Sequence, residues 1–197
     1  MILEGIVTTL DHAGRLNVAP MGPVVEPGMR GFTLRPFQTS QTYRNLKARG
    51  EGVLHVTDDS LLFARAVTGT LDEPPTRPAE HINGLVLTES CRYYEFRVTE
   101  LDDSRERTEI KAQTLSSGTL REFFGFNRAR HAVIEAAILA TRTEFLPIRR
   151  IALGFRLLAE PVRKTGGPDE KAAFRLLSDY VGIRARERGY PWKDPEP

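Results

Sequence analysis

The sequence predicts an α+β protein, mainly β with α additions, in which an antiparallel sheet or barrel is followed by helices. Alternating apolar residues dominate the first part of the chain, whereas helical periodicity begins near residue 127. Strands grouped before helices are typical of this class. The glycine-rich patterns of doubly wound nucleotide folds, G-x-G-x-x-G and G-x-x-x-x-G-K-[ST], do not occur. We expect a barrel domain over residues 1–126 and a helical region over 127–197, packed on the barrel or on a partner subunit.

Composition narrows the classes of function. The 28 basic and 26 acidic residues leave a net charge of only +2, which does not indicate a nucleic-acid surface. The basic stretch RARERGY near the C-terminus is interrupted by Glu187 and fits a solvated helix face. No apolar run is long enough to span a membrane, and the start MILEGIVTTLD lacks the basic segment of a signal peptide. We expect a cytoplasmic protein without nucleic-acid or membrane partners.

Cysteine and histidine content argues against a metal centre. Cys91 is the single cysteine, so neither an intrachain disulfide nor a thiolate cluster can form. The four histidines are scattered along the chain rather than spaced as metal ligands. We expect no bound metal.

The first strands are predicted from alternation and from their breaks. Residues 2–10 are apolar on both parities, as in a strand buried on both faces. After the turn DHAGR, the run LNVAPMGPV is strand-like until Pro20 and Gly22 interrupt it. A proline inside such a run indicates an edge strand or a bulge. Backbone groups that no neighbouring strand uses there are available to a ligand.

The middle of the chain alternates between strands and short helices. The pattern predicts a strand at 32–37, a helix at 40–48 closed by Gly50, a buried strand in GVLHVT and a helix at 60–67. In VTDDS, the two aspartates favour a helix cap over a catalytic carboxylate pair.

The remaining elements follow the same signals. Three prolines between residues 72 and 79 predict an exposed loop, and alternation at 94–98 and 108–112 predicts an antiparallel hairpin. The segment RHAVIEAAILATR is apolar around most of a helix, which we expect to pack against the sheet or another subunit. A second helix runs from Ile148 until Pro161 ends or kinks it, and a third begins at Pro168.

The stretch RPFQTSQTYRNLKARG concentrates hydroxyl groups where a strand gives way to a helix. Thr39, Ser40 and Thr42 stand there, with Arg35 just upstream. One hydroxyl suffices to cap a helix. Three hydroxyls, a guanidinium and the positive end of a helix dipole favour a phosphate site over a simple cap.

Several motifs together resemble a known family. NVAPMG, RPFQTSQTYRNL and GVLHVTDD, in this order, resemble the flavin-reductase-like branch of the FMN-binding split barrels. With ARHAVIEAAILATR included, the chain resembles a narrower split-barrel family of unknown function. The resemblance implies a six-stranded antiparallel Greek-key split barrel, acting as a homodimer with FMN near the interface, and it makes 1–126 the FMN-binding domain.

The resemblance also implies site residues. The segment along the isoalloxazine ring corresponds to Asn17, Ala19, Pro20, Met21 and Gly22. The segment facing the phosphate corresponds to Arg35, Thr39, Ser40 and Thr42, with Gln38 and Asn45 as weaker candidates. Asn45 is equally interpretable as an ordinary exposed helix residue.

Two functional hypotheses follow. The first is an FMN-dependent oxidoreductase of flavin-reductase type that takes electrons from a reduced nicotinamide or a deazaflavin, with no side-chain acid or base required because the flavin carries the chemistry. The second is a non-catalytic module that binds flavin or another small ligand, as a carrier or sensor. The long helical C-terminal part and the lack of a recognisable nicotinamide motif favour the second.

Overall fold

A computed structural model describes residues 1–197 and contains nine β-strands and five α-helices. The strands are β1 (Gly5–Leu10), β2 (Leu16–Met21), β3 (Val24–Val25), β4 (Gly31–Leu34), β5 (Glu51–Val56), β6 (Thr76–Pro78), β7 (Leu85–Leu87), β8 (Arg92–Asp102) and β9 (Glu109–Thr119). The helices are α1 (Gln41–Arg49), α2 (Ser60–Thr68), α3 (Arg128–Ala140), α4 (Ile148–Thr165) and α5 (Pro168–Glu187).

The chain forms two compact units. The first contains residues 1–57 and 73–123, and the second contains residues 58–72 and 124–197. The change from strands to helices thus falls between Phe123 and Phe124, three residues before the boundary predicted at 126. Residues 58–72, which carry α2, belong to the helical unit although they lie inside the strand-rich part of the sequence.

Seven strands of the first unit form one antiparallel sheet in the order β2-β1-β5-β8-β9-β4-β3. The expectation of six strands is wrong because Gly22 and Pro23 divide one run into β2 and β3, which lie at opposite edges. The β3 edge bonds to the residues before β1, with Leu3 N donating to Pro23 O over 3.1 Å and Val25 N to Met1 O over 2.9 Å. These bonds curl the sheet back toward itself.

The two faces of this sheet have separate apolar cores. One core includes Val7, Phe32, Leu46 and Phe96 and is closed by α1, with the Phe32 and Phe96 rings edge to face at 5.1 Å. The other contains Val53, Val86 and Tyr93 and lies under the two-stranded β6–β7 sheet. The predicted hairpin is confirmed as β8 and β9, and the predicted loop at 72–79 contains β6.

The predicted helix signals operate as expected. In α1, Ser40 Oγ accepts from Tyr43 N over 3.2 Å, and Gly50 closes the helix with φ +69°, a conformation that L side chains rarely adopt. Asp59 caps α2 by accepting from Leu62 N over 2.9 Å, which confirms the predicted capping role for Asp59. Asp58 instead accepts from Phe124 N over 2.8 Å and from Arg130 Nη1 over 3.1 Å.

The helical unit packs around the alanine-rich face of α3. Its alanines contact side chains of α4 and α5, including Phe155 and Phe174. The buried face of α3 thus packs on other helices of its own unit, whereas the sequence predicted the sheet or another subunit as its partner. Helix α4 continues through Pro161 to Thr165, so of the two predicted effects of Pro161, an end or a kink, the end does not occur. Proline has no N–H, so the carbonyl of Leu157, four residues earlier, lacks its donor within the helix. Leu157 is exposed, so water can bond to this carbonyl. No helix combines the length and apolar character needed to cross a bilayer.

His55 joins three strands inside the first unit. It is fully buried, its Nε2 accepts from Leu87 N over 3.0 Å, and its Nδ1 lies 3.3 Å from Ile6 O. Because Nε2 accepts, Nδ1 carries the proton and donates to Ile6. Burial lowers the pKa of His55 from 6.5 to about 4. The neutral ring is thus part of the folded state.

We expect stability to fall on mild acidification because of His55. Its folded-state pKa is lowered, so the unfolded chain binds the proton first, and stability is lost as the pH drops from 6.5 toward 4. Between pH 6.5 and about pH 5, the free energy of unfolding of wild type should fall by up to about 2 kcal/mol more than that of His55→Gln. Urea unfolding at several pH values measures this difference. His131→Gln, at an exposed histidine, should keep the wild-type profile; identical profiles for all three proteins would contradict the assignment.

Candidate functional site

Strand β2 offers an open edge whose polarity is set by one proline. β2 pairs only with β1, and Pro20 lies opposite Ile6. Proline cannot donate to a ladder, so this is a pair without direct hydrogen bonds. Consistently, Ile6 O points toward His55 on β5.

Along an antiparallel pair, hydrogen-bonded and non-hydrogen-bonded residue pairs alternate, and this alternation sets the direction of the β2 backbone groups. Asn17, Ala19 and Met21 exchange backbone bonds with β1, whereas Val18 N–H and C=O and Pro20 C=O point to the outer edge. Of the residues predicted to offer backbone groups, Pro20 therefore does so within β2. Val18 was missed because its outward direction depends on the partner strand. Gly22 lies just after β2 and is exposed.

A buried polar cluster connects β1, β2 and α1. Thr9 Oγ1 accepts from Asn17 Nδ2 over 3.2 Å and from Asn45 Nδ2 over 3.0 Å. Asn17 Nδ2 also donates to Thr42 Oγ1 over 3.1 Å, and Gln41 Nε2 donates to Asn45 Oδ1 over 2.7 Å. Thr9, Thr42 and Asn45 are each at most 3% exposed. We call Thr9, Asn17, Thr42 and Asn45 the Thr9 cluster.

The Thr9 cluster changes the roles of three predicted residues. The interpretation of Asn45 as an ordinary exposed helix residue is wrong, since Asn45 lies on the buried face of α1. Thr42 and Asn17 are brought together, but they bond to each other. The hydroxyls at the start of α1 that remain accessible are those of Thr39, which is exposed, and Ser40, which is half-buried.

Gln38 fastens the tip of the β8–β9 hairpin to the start of α1. Its side chain donates to the carbonyls of Asp103 over 2.7 Å and Arg105 over 2.9 Å, and its N–H donates to Glu106 O over 3.0 Å. Through these three bonds, Gln38 connects the start of α1 to the hairpin tip.

A second set of bonds holds the same hairpin tip. Tyr43 Oη donates to Asp103 Oδ2 over 2.7 Å, and Lys47 Nζ donates to the same oxygen over 2.6 Å. The bond from Lys47 lowers the pKa of Asp103, and the bond to Asp103 raises the pKa of Lys47. The hairpin tip is thus fixed beside α1 from two directions.

Arg35 lies in a cleft instead of among the α1 hydroxyls. A surface cleft of about 560 Å³ is lined by Arg35, Arg105 and Arg107 together with Asp102 and Glu109. Arg35 Nη2 is 3.7 Å from Glu109 Oε2, and both side chains are about half exposed. Sequence analysis missed Arg105 and Arg107, which are about 70 residues from Arg35 along the chain. No three His, Cys, Asp or Glu side chains are grouped to hold a metal ion.

The curled sheet closed by α1 defines the class of protein as a flavin-reductase-like split barrel. A flavoredoxin from Methanosarcina acetivorans shares it over 60% of this chain and 68% of its own, with a TM-score of 0.51 and 10% identity. Nitrilotriacetate monooxygenase component B from Bacillus cereus shares it over 60% and 70%, with a TM-score of 0.50 and 18% identity. At these identities the similarity establishes the fold alone.

The chain belongs to the family described as protein of unknown function DUF447. The model of the family's N-terminal domain matches residues 3–121, and a second model of the family matches residues 127–179. The crystal structure of an FMN-bound protein of this family from Methanosarcina mazei is similar over 91% of this chain and 94% of its own. The identity is 26% and the TM-score 0.80. The resemblance noted from the sequence is confirmed at the level of the family.

We expect Thr9→Val to destabilise the protein by about 2 kcal/mol, because the buried Asn45 amide loses its acceptor and the Asn17 amide loses one of two, while the side-chain shape is kept. Urea unfolding of the protein without added ligand measures the change. Thr39→Val, at an exposed threonine, is the matched control and should shift stability by less than about 0.5 kcal/mol. Equal effects of the two substitutions would contradict the role given to the Thr9 cluster.

Proposed function

We propose that this protein binds FMN and acts as an oxidoreductase of flavin-reductase type. The observation that carries the proposal is the similarity, over nearly the whole chain, to an FMN-bound member of the same family. The open edge of β2 and the accessible hydroxyls before α1 supply the polar groups that such a ligand needs. When bound, FMN supplies the electron-transfer chemistry.

The residues present fit the two ends of FMN. Val18 N–H, Val18 C=O and Pro20 C=O form a mixed donor and acceptor edge, which suits the polar rim of the flavin ring. At the other end, the first-turn amides of Gln41 and Thr42 have no acceptor within α1. With the hydroxyls of Thr39 and Ser40, they make a donor set suited to a phosphate dianion.

The Thr9 cluster makes the proposed FMN site rigid. It bonds β2 to α1 through Asn17 and Thr42, so the edge assigned to the ring and the helix start assigned to the phosphate are held by the same buried contacts. Asn17, Thr42 and Asn45 then position the site from below, and Gln38 steadies its hairpin side.

The wider proposal includes the compartment, the assembly and the electron donor. We assign the protein to the cytoplasm and to a homodimer with FMN near the interface, and a reduced nicotinamide or a deazaflavin serves as donor. Sedimentation of the FMN-loaded protein tests the assembly, since a monomer at all concentrations would contradict the dimer.

We expect Thr39→Val to weaken FMN binding about tenfold and to leave riboflavin binding unchanged, because riboflavin lacks the phosphate. Ser40→Gly should act similarly, since glycine replaces serine as an N-cap at a cost of only a few tenths of a kcal/mol. Flavin fluorescence quenching measures both affinities. Arg15→Gln, in the exposed β1–β2 turn, is the control. Failure of wild type to bind FMN would overturn the proposal, and equal losses for both flavins would contradict the phosphate assignment.

We expect bound FMN to be reduced when NADH, NADPH or a reduced deazaflavin is added without oxygen. Rapid mixing with detection of flavin bleaching measures the rate, and free FMN under the same conditions is the control. Tight binding with no faster reduction by any of these donors would instead support the second hypothesis, a non-catalytic flavin carrier or sensor.

A further inference from the structure

The cleft beside the β8–β9 hairpin collects three guanidinium groups that lie outside the proposed FMN site. Arg35 precedes α1, whereas Arg105 and Arg107 come from the hairpin. The volume of about 560 Å³ is ample for a phosphate ester. Guanidinium groups bind phosphate through parallel charge-assisted bonds.

Arg107 is held in place before any ligand arrives. Its Nε donates to Arg35 O over 3.3 Å, and its guanidinium carbon lies 5.7 Å from the centre of the Phe37 ring. The next residue, Thr108, donates to Pro36 O through its N–H over 3.0 Å and through its hydroxyl over 2.8 Å. Arg107 is therefore held through its Nε at the wall of the cleft.

The backbone of Arg105 is similarly fixed. Its carbonyl accepts from Gln38 Nε2, and the neighbouring Asp103 is bonded to Tyr43 and Lys47. The hairpin thus carries two arginines on a rigid tip, which reduces the entropy lost when a ligand binds.

The acidic residues of the cleft leave a positive surplus. Three arginines face Asp102 and Glu109, which gives a formal charge of +1. Asp102 Oδ1 accepts from Ser104 N over 2.9 Å and is turned to its own loop. Glu109 is 3.7 Å from Arg35 in a half-exposed contact, which is weak enough for an incoming anion to replace.

We propose that this cleft binds the phosphate monoester of a second substrate, separate from the phosphate of FMN. The inference rests on the proposed function, because the second substrate is the electron donor. Arg105 and Arg107 are then specificity-determining residues that favour a donor with an extra phosphate, such as NADPH, over the same donor without it. Gln38, which lies between Arg35 and Thr39 in the chain, bonds to the hairpin through its backbone and its side chain.

The binding test uses adenosine 2′-phosphate as the probe and adenosine as its uncharged counterpart, titrated by calorimetry into FMN-loaded wild type. The phosphate ester should bind at least about tenfold more tightly than adenosine, and Arg105→Gln/Arg107→Gln should abolish this preference. Arg97→Gln, at an exposed arginine of β8, is the matched control and should keep it. Citrate binding in place of the phosphate ester would overturn the assignment to phosphate in favour of a carboxylate.

A kinetic test adds a readout that a structural role would not change. The double variant should raise the KM for NADPH at least about tenfold with the KM for NADH and the Kd for FMN unchanged. Loss of FMN affinity in the double variant would overturn the proposal, because the cleft would then hold the cofactor's phosphate. An unchanged NADPH preference would overturn it as well. If wild type fails to bind FMN, the proposed function fails, and titration of adenosine 2′-phosphate into the FMN-free protein still decides whether the cleft binds phosphate.

Discussion

The buried hydroxyl of Thr9 is the contact on which the arrangement of the candidate site depends. It accepts from side-chain amides on β2 and on α1. The strand edge and the helix start are therefore both bonded to the same atom of β1. Apolar packing under α1 stabilises the unit but is compatible with small shifts of the helix. Directional bonds from two asparagines are not, and for this reason they set the spacing between the two ends of the site.

Much of the fold could be predicted because its signals are local. Alternation identified the β8–β9 hairpin, Ser40 and Gly50 marked the ends of α1, and the aspartates before α2 indicated its cap. The number of strands was wrong because the break after Met21 sends β3 to the far edge, and long-range pairing of that kind leaves no local pattern. The grouping of α2 with the later helices was not predictable either, since a short amphipathic helix does not encode its partner.

The candidate site was only partly predictable for the same reason. The hydroxyl-rich segment before α1 was found because three hydroxyls exceed what one helix cap requires. The sequence could not show that Thr42 and Asn45 bond to β1 and β2, because those contacts join residues more than 20 positions apart. Val18 and the hairpin arginines have no motif of their own. Val18 depends on the register opposite Pro20, and Arg107 depends on stacking against Phe37.

Pro20 has a further consequence for the open edge of β2. An unpaired strand edge normally recruits strands from other molecules, which begins aggregation. Pro20 presents no N–H there, so the carbonyls of Val18 and Pro20 form two consecutive acceptors and an approaching strand cannot complete a ladder. The proline thus weakens this edge as a template for strand pairing with another molecule.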